Sequence, residues 1–269
     1  MSNEKLRREA LVYHAKPQPG KIKIVPTKPY ATQRDLGLAY SPGVAEPCLE
    51  IHKDKENVYK YTAKGNLVAV ITNGTAVLGL GDIGPEASKP VMEGKSLLFK
   101  IFADIDSIDI ELDTKDVDKF IETVKIMAPT FGGINLEDIK APEAFEIERR
   151  LKEELDIPVM HDDQHGTAVV VLAALINAAK VVGKKLSELK VVISGAGSAG
   201  LAVSDMLVHA GIRNVLVLDS KGVLSKDRTD LSGKKKEVAE NTNPENVQGK
   251  LAEALVGADV AIGLSTAKF

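Results

Sequence analysis

The chain has 269 residues, 44% of them apolar and 27% charged, with a net charge of −3, which describes a globular protein of one large or two ordinary domains. That balance offers no basic surface for nucleic acid, the 4% aromatics and absence of Trp leave little for base stacking, and no run of about 18 apolar residues predicts a membrane span. The lone cysteine, Cys48, forms no intrachain disulfide, and the charged start carries no secretory signal, so a cytoplasmic setting is expected.

An amphipathic pattern over residues 4–16 predicts a helix that Pro17-Gln18-Pro19-Gly20 ends, and Ile22-Lys23-Ile24-Val25-Pro26 reads as an edge strand. Tyr40-Ser41-Pro42-Gly43 then presents Tyr40 from a constrained loop edge before a helix over 45–53; a core tyrosine is the plainer alternative. Leu67–Thr72 is a buried-strand run, followed by a loop with Gly79, Gly81 and Gly84 that lets backbone approach a ligand. Residues 89–99 read as a helix with Pro90 in its first turn. Within it Lys95 lies among Val91, Met92, Leu98 and Phe99, a setting that favours the neutral lysine a general base needs. A surface lysine with a buried stem is the plainer alternative. Gly94 beside it suggests close packing.

A strand–helix rhythm follows: strand 108–112, helix 116–128, strand 131–136 ending at Glu137-Asp138, helix 142–155 and strand 157–160. Such alternation implies parallel strands with right-handed crossovers, so the strands end on one edge of a sheet, where sites form. There the chain reads His161-Asp162-Asp163-Gln164-His165-Gly166-Thr167, before a long apolar helix over 168–182. Glu137, Asp138, Asp162 and Asp163 are therefore expected at that edge, and four carboxylates do not all stay ionised together without a cation. Oxygen-only donors suit Mg²⁺ or Mn²⁺; His161 and His165 lack a third nitrogen or sulfur ligand for zinc. Acids capping a helix are the plainer alternative.

The second half opens with strand 189–194 running into Gly195-Ala196-Gly197-Ser198-Ala199-Gly200 and a helix over 201–209. This is the G-x-G-x-x-G dinucleotide fingerprint in its strand–turn–helix setting. The next strand, 215–218, ends at Asp219, which fits a ribose 2′-hydroxyl and leans towards NAD, while Lys221 keeps NADP open. Residues 220–249 read as a polar surface excursion, then come a helix over 251–256 and a strand over 259–264. Three strands against the usual six or so of a dinucleotide domain predict a partial one. The expected fold is α/β: an amino-terminal parallel-sheet domain over 1–162 that holds substrate and metal, and an incomplete Rossmann-type domain over 163–269.

Assembled, these motifs resemble the malic enzyme family, in its short bacterial form and truncated at the carboxyl end. The resemblance rests on Tyr40–Ala45, Gly79–Gly84, Glu93-Gly94-Lys95, Asn135–Asp138, His161–Thr167 and Gly195–Gly200. It implies oxidative decarboxylation of malate to pyruvate and CO₂ with NAD or NADP and Mg²⁺ or Mn²⁺, or malate-to-lactate conversion by a malolactic relative. A folded but inactive chain is the alternative outside catalysis. Carried over by motif, Lys95 takes the malate hydroxyl proton and Asp162 adjusts it. Glu137, Asp138 and Asp163 hold the metal, and Tyr40 protonates the enolpyruvate carbon. A homodimer is also implied. Thr75-Ala76-Val77 stands where many relatives carry a substrate-binding arginine.

Overall fold

The computed structural model describes residues 3–77 and 79–265; Leu78 and Thr266–Phe269, which fall in the glycine loop and at the chain end, lie outside the described residues. The chain divides into two compact units, Met1–Val159 and Met160–Phe269.

The first unit begins with four helices, α1 (Asn3–Ala15), α2 (Gln33–Ala39), α3 (Ala45–Lys53) and α4 (Asn57–Tyr61). None of the side chains described in them is buried, and Leu11, Tyr13 and Leu38 are each about three-fifths exposed. A capping box starts α2: Thr32 Oγ1 accepts from Asp35 N, and Asp35 Oδ2 accepts from Thr32 N. Residues 22–26 form no strand, contrary to the sequence pattern. Ile24 is 91% exposed, so apolar alternation there finds no partner strand.

From residue 67 the chain alternates as expected: β1 (Leu67–Thr72), α5 (Pro85–Ala103), β2 (Asp106–Glu111), α6 (Val117–Met127), β3 (Gly133–Leu136), α7 (Glu143–Glu154) and β4 (Val159–His161). The sheet order is β2-β1-β3-β4, and β1 runs parallel to both β2 and β3. Apolar side chains of β1 and β3 pack with Phe120, Ile121 and Val124 of α6 and Ile147 and Leu151 of α7 into one core. Helix α5 starts four residues before the expected point. Pro85 stands in its first turn, where a missing N–H costs nothing, and Pro90 lies inside the helix.

In the second unit α8 (Asp162–Val182) begins directly at the end of β4, so Asp162 and Asp163 form its first turn. Helix α8 is long and apolar enough, by length and composition alone, to cross a membrane, although Asn177 and Lys180 interrupt its apolar run; it packs along α9 (Ser198–His209). The sheet contains β5 (Lys190–Ser194), β6 (Asn214–Asp219), β7 (Gly222–Val223) and β8 (Val260–Gly263) in the order β7-β6-β5-β8. All pairs are parallel except β6 with β7. Val191–Ile193 and Val215–Val217 are almost fully buried, as strands covered on both faces must be. The segment read as a surface excursion is instead built into the unit. It carries β7 and α10 (Gly233–Asn241), and buries Val223, Leu224, Val238 and Asn243, and the helix expected after it is α11 (Leu251–Ala254). Asn243 holds it together: its N–H bonds Val215 O at 2.9 Å, and its side chain accepts from Val247 N at 2.7 Å and donates to Val247 O at 2.9 Å.

Candidate active site

In the first unit, parallel pairing brings Thr72, Glu111 and Leu136 to one carboxyl edge of the sheet. Glu137 follows directly and is still tied to the sheet, its N–H bonding Ile71 O at 3.0 Å. Its carboxylate is nearly buried, with Oε1 3.3 Å from Lys95 Nζ and Oε2 accepting from Asn135 Nδ2 at 2.8 Å. Lys95 is thus neither a surface lysine nor one walled by apolar side chains: its side chain is 21% exposed and meets an acid. Gly94 is not closely packed either, since a Cβ there would meet nothing within 4 Å.

Asp138 is also buried, and its φ of 53° lies in the left-handed region, a conformation that a non-glycine residue keeps only where its surroundings hold it. The loop after β1 supplies that hold. Ala76 N donates to Asp138 O at 2.9 Å, Lys140 N donates to Thr75 Oγ1 at 3.1 Å, and the Thr75 hydroxyl donates to Asn73 Oδ1 at 2.6 Å. Thr75 therefore has a structural role in braces around the acids. Two adjacent buried carboxylates with no sulfur donor beside them are the oxygen-rich chemistry that Mg²⁺ or Mn²⁺ requires, so Glu137 and Asp138 fit such a cation.

Tyr40 caps α2 through its backbone, its N–H bonding Leu36 O at 2.9 Å and its carbonyl accepting from Val44 N at 2.9 Å. Its side chain is 78% exposed, so it is not a core tyrosine. Further back, Lys21 N donates to Glu93 Oε2 at 3.0 Å and Lys21 Nζ to Pro90 O at 2.6 Å, which anchors the amino-terminal segment to α5 beside Lys95.

A second acidic pair on this edge escaped the sequence reading. Asp109 and Glu111, two apart on β2, share one face of the strand, and Lys89 Nζ reaches Asp109 Oδ2 at 2.6 Å and Glu111 Oε2 at 3.5 Å. Burial, together with the hydrogen bond and charge of Asp109, pushes the Glu111 carboxyl up to about 7. The alternation Ile108-Asp109-Ile110-Glu111 was the available signal.

In the second unit Asp162 and Asp163 occupy the first turn of α8, where acids suit the helix dipole. The Asp162 carboxylate lies against Gly166, and a Cβ there would collide with Oδ1. His161 is wholly buried, with Nε2 3.8 Å from Asp163 Oδ2. Asp162 thus lies against the next turn of its own helix and Asp163 beside His161.

The fingerprint performs as its spacing implies. Gly195 has φ 122°, and a Cβ on it would meet the Leu264 backbone. A Cβ on Gly200 would overlap the Gly195 carbonyl, so that glycine lets α9 pack on β5. Around Gly197 a Cβ would meet nothing within 4 Å, and next to it Ser198 Oγ is buried without a partner among the described residues. An open turn, a helix N-terminus and an orphaned hydroxyl fit a pyrophosphate. Ala196 and Ala199 complete the turn.

Asp219 ends β6 as expected, but it is occupied. Its Oδ1 accepts from Lys221 N at 2.9 Å, Gly222 N at 3.2 Å and Arg228 Nη1 at 2.8 Å. Its Oδ2 accepts from Arg228 Nη2 at 3.1 Å and Lys235 Nζ at 3.3 Å. Burial would raise this carboxyl, and the Arg228 guanidinium with the neighbouring N–H and Lys235 overrides that, holding it at about 2. Arg228 and Lys235 are the residues missed here, because they lie in the segment read as solvent-exposed.

Comparison with known proteins places these features together. A family model described as malic enzyme, N-terminal domain matches residues 19–152, and one described as malic enzyme, NAD binding domain matches 164–269. An NADP-dependent malic enzyme of Haemophilus influenzae is 56% identical over 267 residues, covering 98% of this chain and 35% of that protein. A bifunctional malic/malolactic enzyme of Bacillus subtilis is 55% identical over 263 residues, covering 97% of this chain and 64% of that protein. The crystal structure of an NAD-dependent malic enzyme from Thermotoga maritima superposes with a TM-score of 0.89 at 46% identity, covering 99% of this chain and 69% of that one. The chain thus spans about a third and just under two thirds of the length of the two curated relatives.

Proposed function

This chain belongs to the malic enzyme family, and from that premise we propose that it catalyses the oxidative decarboxylation of malate to pyruvate and CO₂, reducing NAD(P)⁺ with Mg²⁺ or Mn²⁺. The observation that carries the reading is the contact of Lys95 with Glu137 on the carboxyl edge of a parallel sheet, in a chain that also holds an open dinucleotide turn at Gly197.

In this reading Lys95 Nζ takes the proton of the malate hydroxyl while hydride leaves the same carbon for the dinucleotide, and Asp162 adjusts the lysine. The resulting β-keto acid loses CO₂, and the electron pair of the broken carbon–carbon bond remains as enolpyruvate. Tyr40, whose side chain is exposed, delivers a proton to that carbon. Glu137, Asp138 and Asp163 would hold the divalent cation, which when bound polarises the carbonyl next to the breaking bond and draws charge from the Glu137 carboxylate. Gly195–Gly200 would seat the pyrophosphate.

At the ribose end Asp219 is held by Arg228 and Lys235, and Lys221 Nζ by Asp230, so both NAD, through the acid, and NADP, through the nearby cations, stay open. We further place the protein in the cytoplasm, consistent with the exposed free thiol of Cys48, as a homodimer acting on a small molecule, with no nucleic-acid or membrane partner.

The test is an assay with malate, Mn²⁺ and either cofactor. Pyruvate and reduced cofactor are expected, and the ratio of kcat/KM for NADP and NAD gives the preference. The similarity to a bifunctional malic/malolactic enzyme supports a second reading; lactate without net cofactor reduction would establish it in place of the first. Neither product would refute both.

A further inference from the structure

Asn135 is buried, 2% exposed, on β3, a strand paired on both sides within the sheet. A polar side chain there weakens the fold unless it is bonded, and only half of this one is. Its Nδ2 donates to Glu137 Oε2, while its Oδ1 is buried with no partner among the described residues. Leu136, between the two, turns the opposite way into the core. That alternation is the period of a strand, and it places Asn135 and Glu137 on one face. A leucine or valine at 135 would leave no orphaned amide oxygen but would strip the buried Glu137 Oε2 of this donor, so the amide is best explained by what it does to the acid.

We propose that Asn135 is a positioning residue for Glu137: its amide fixes Oε2, so that Oε1 is held towards Lys95 and the carboxylate is presented in one orientation to a divalent cation. This deepens the functional reading above and rests on it. A neutral amide suits the task because it donates to a carboxylate without itself carrying charge or exchanging a proton. Outer-layer partners of this kind typically contribute about ten- to a hundredfold in metal affinity.

The experiment uses the full chain and the Asn135→Leu variant. Mn²⁺ binding is measured without malate by electron paramagnetic resonance of the free ion, thermal unfolding is followed without metal, and dinucleotide binding by fluorescence. Expected results are at least about a tenfold weaker Mn²⁺ affinity, a variant still folded at the temperature of the binding measurement, and unchanged dinucleotide binding. A purely structural role predicts a lower unfolding temperature with Mn²⁺ affinity retained, and that result overturns the proposal. The double variant with Glu137→Gln decides whether the effect runs through Glu137. Asn135→Leu is expected to add nothing further to the loss that Glu137→Gln causes, and additive losses overturn the proposal. If the parent chain binds no Mn²⁺ at all, the metal reading itself fails, and this inference with it.

Discussion

Two strands of the first unit end in the same way and differ in one residue type. On β2, Asp109 and Glu111 share a face and meet Lys89 of α5; on β3, Asn135 and Glu137 share a face and meet Lys95 of the same helix. Where both members are acids, they cannot stand bare beside each other, and Glu111 keeps a proton up to about pH 7. Where the first member is an amide, the bond to the acid forms without a shared proton. The β2 arrangement ties helix to strand. The β3 arrangement leaves a carboxylate held in place next to a lysine, which is the form a reaction can use.

The comparison breaks most visibly at the two lysines. Lys95→Ala should lower kcat for malate oxidation by about a thousandfold, the scale of a lost general base, with dinucleotide binding intact. Lys89→Ala should keep kcat within severalfold of the parent. Steady-state kinetics on both variants checks this, and equal losses would dissolve the distinction.

The acids should separate next. Glu137→Gln is expected to raise the Mn²⁺ concentration for half-maximal binding by at least about tenfold, whereas Glu111→Gln should leave it unchanged. Titration with Mn²⁺ in the absence of substrate reads this directly.

A smaller effect concerns pH. The folded-state value of Glu111, about 7, lies above its ordinary 4.5, so the folded chain holds a proton that the unfolded chain releases. Stability is therefore lost as pH rises from about 4.5 to 7, and the loss is complete above that. Asp109 and Lys89, on β2 and α5, are the charged groups bonded to Glu111. The lowered value of Asp109 offsets part of the effect. Glu111→Gln should accordingly stabilise the chain at about pH 8 and do so much less at about pH 5. Thermal unfolding at the two values tests it; equal shifts at both would show that no proton is held.

Much of this was legible from residue order alone. Period-two alternation and apolar runs located β1, β3, β5 and β6, because a buried strand needs side chains of that kind whatever surrounds it. The roles of Gly195 and Gly200 were also readable, since a missing Cβ acts over a few atoms of the same turn. The start of α8 was placed too late, because Asp162–Thr167 lacks the apolar period that marks the rest of the helix. Ile22–Pro26 has the pattern of a strand but no neighbour to pair with.

What residue order determined, then, is local: which segments are helix or strand, where the tight turns fall, and that acids stand at strand ends. The tertiary structure decided how those acids differ. Asp219 carries the signature of a ribose ligand, yet Arg228, nine positions on, and Lys235, sixteen on, occupy its oxygens. Glu111 and Glu137 look alike in the chain, but burial and the neighbouring Asp109 push the Glu111 carboxyl up, whereas Glu137 meets the Asn135 amide and Lys95. The reason is that a carboxylate's chemistry depends on the donors and charges within a few ångströms, and those come from segments that folding brings together.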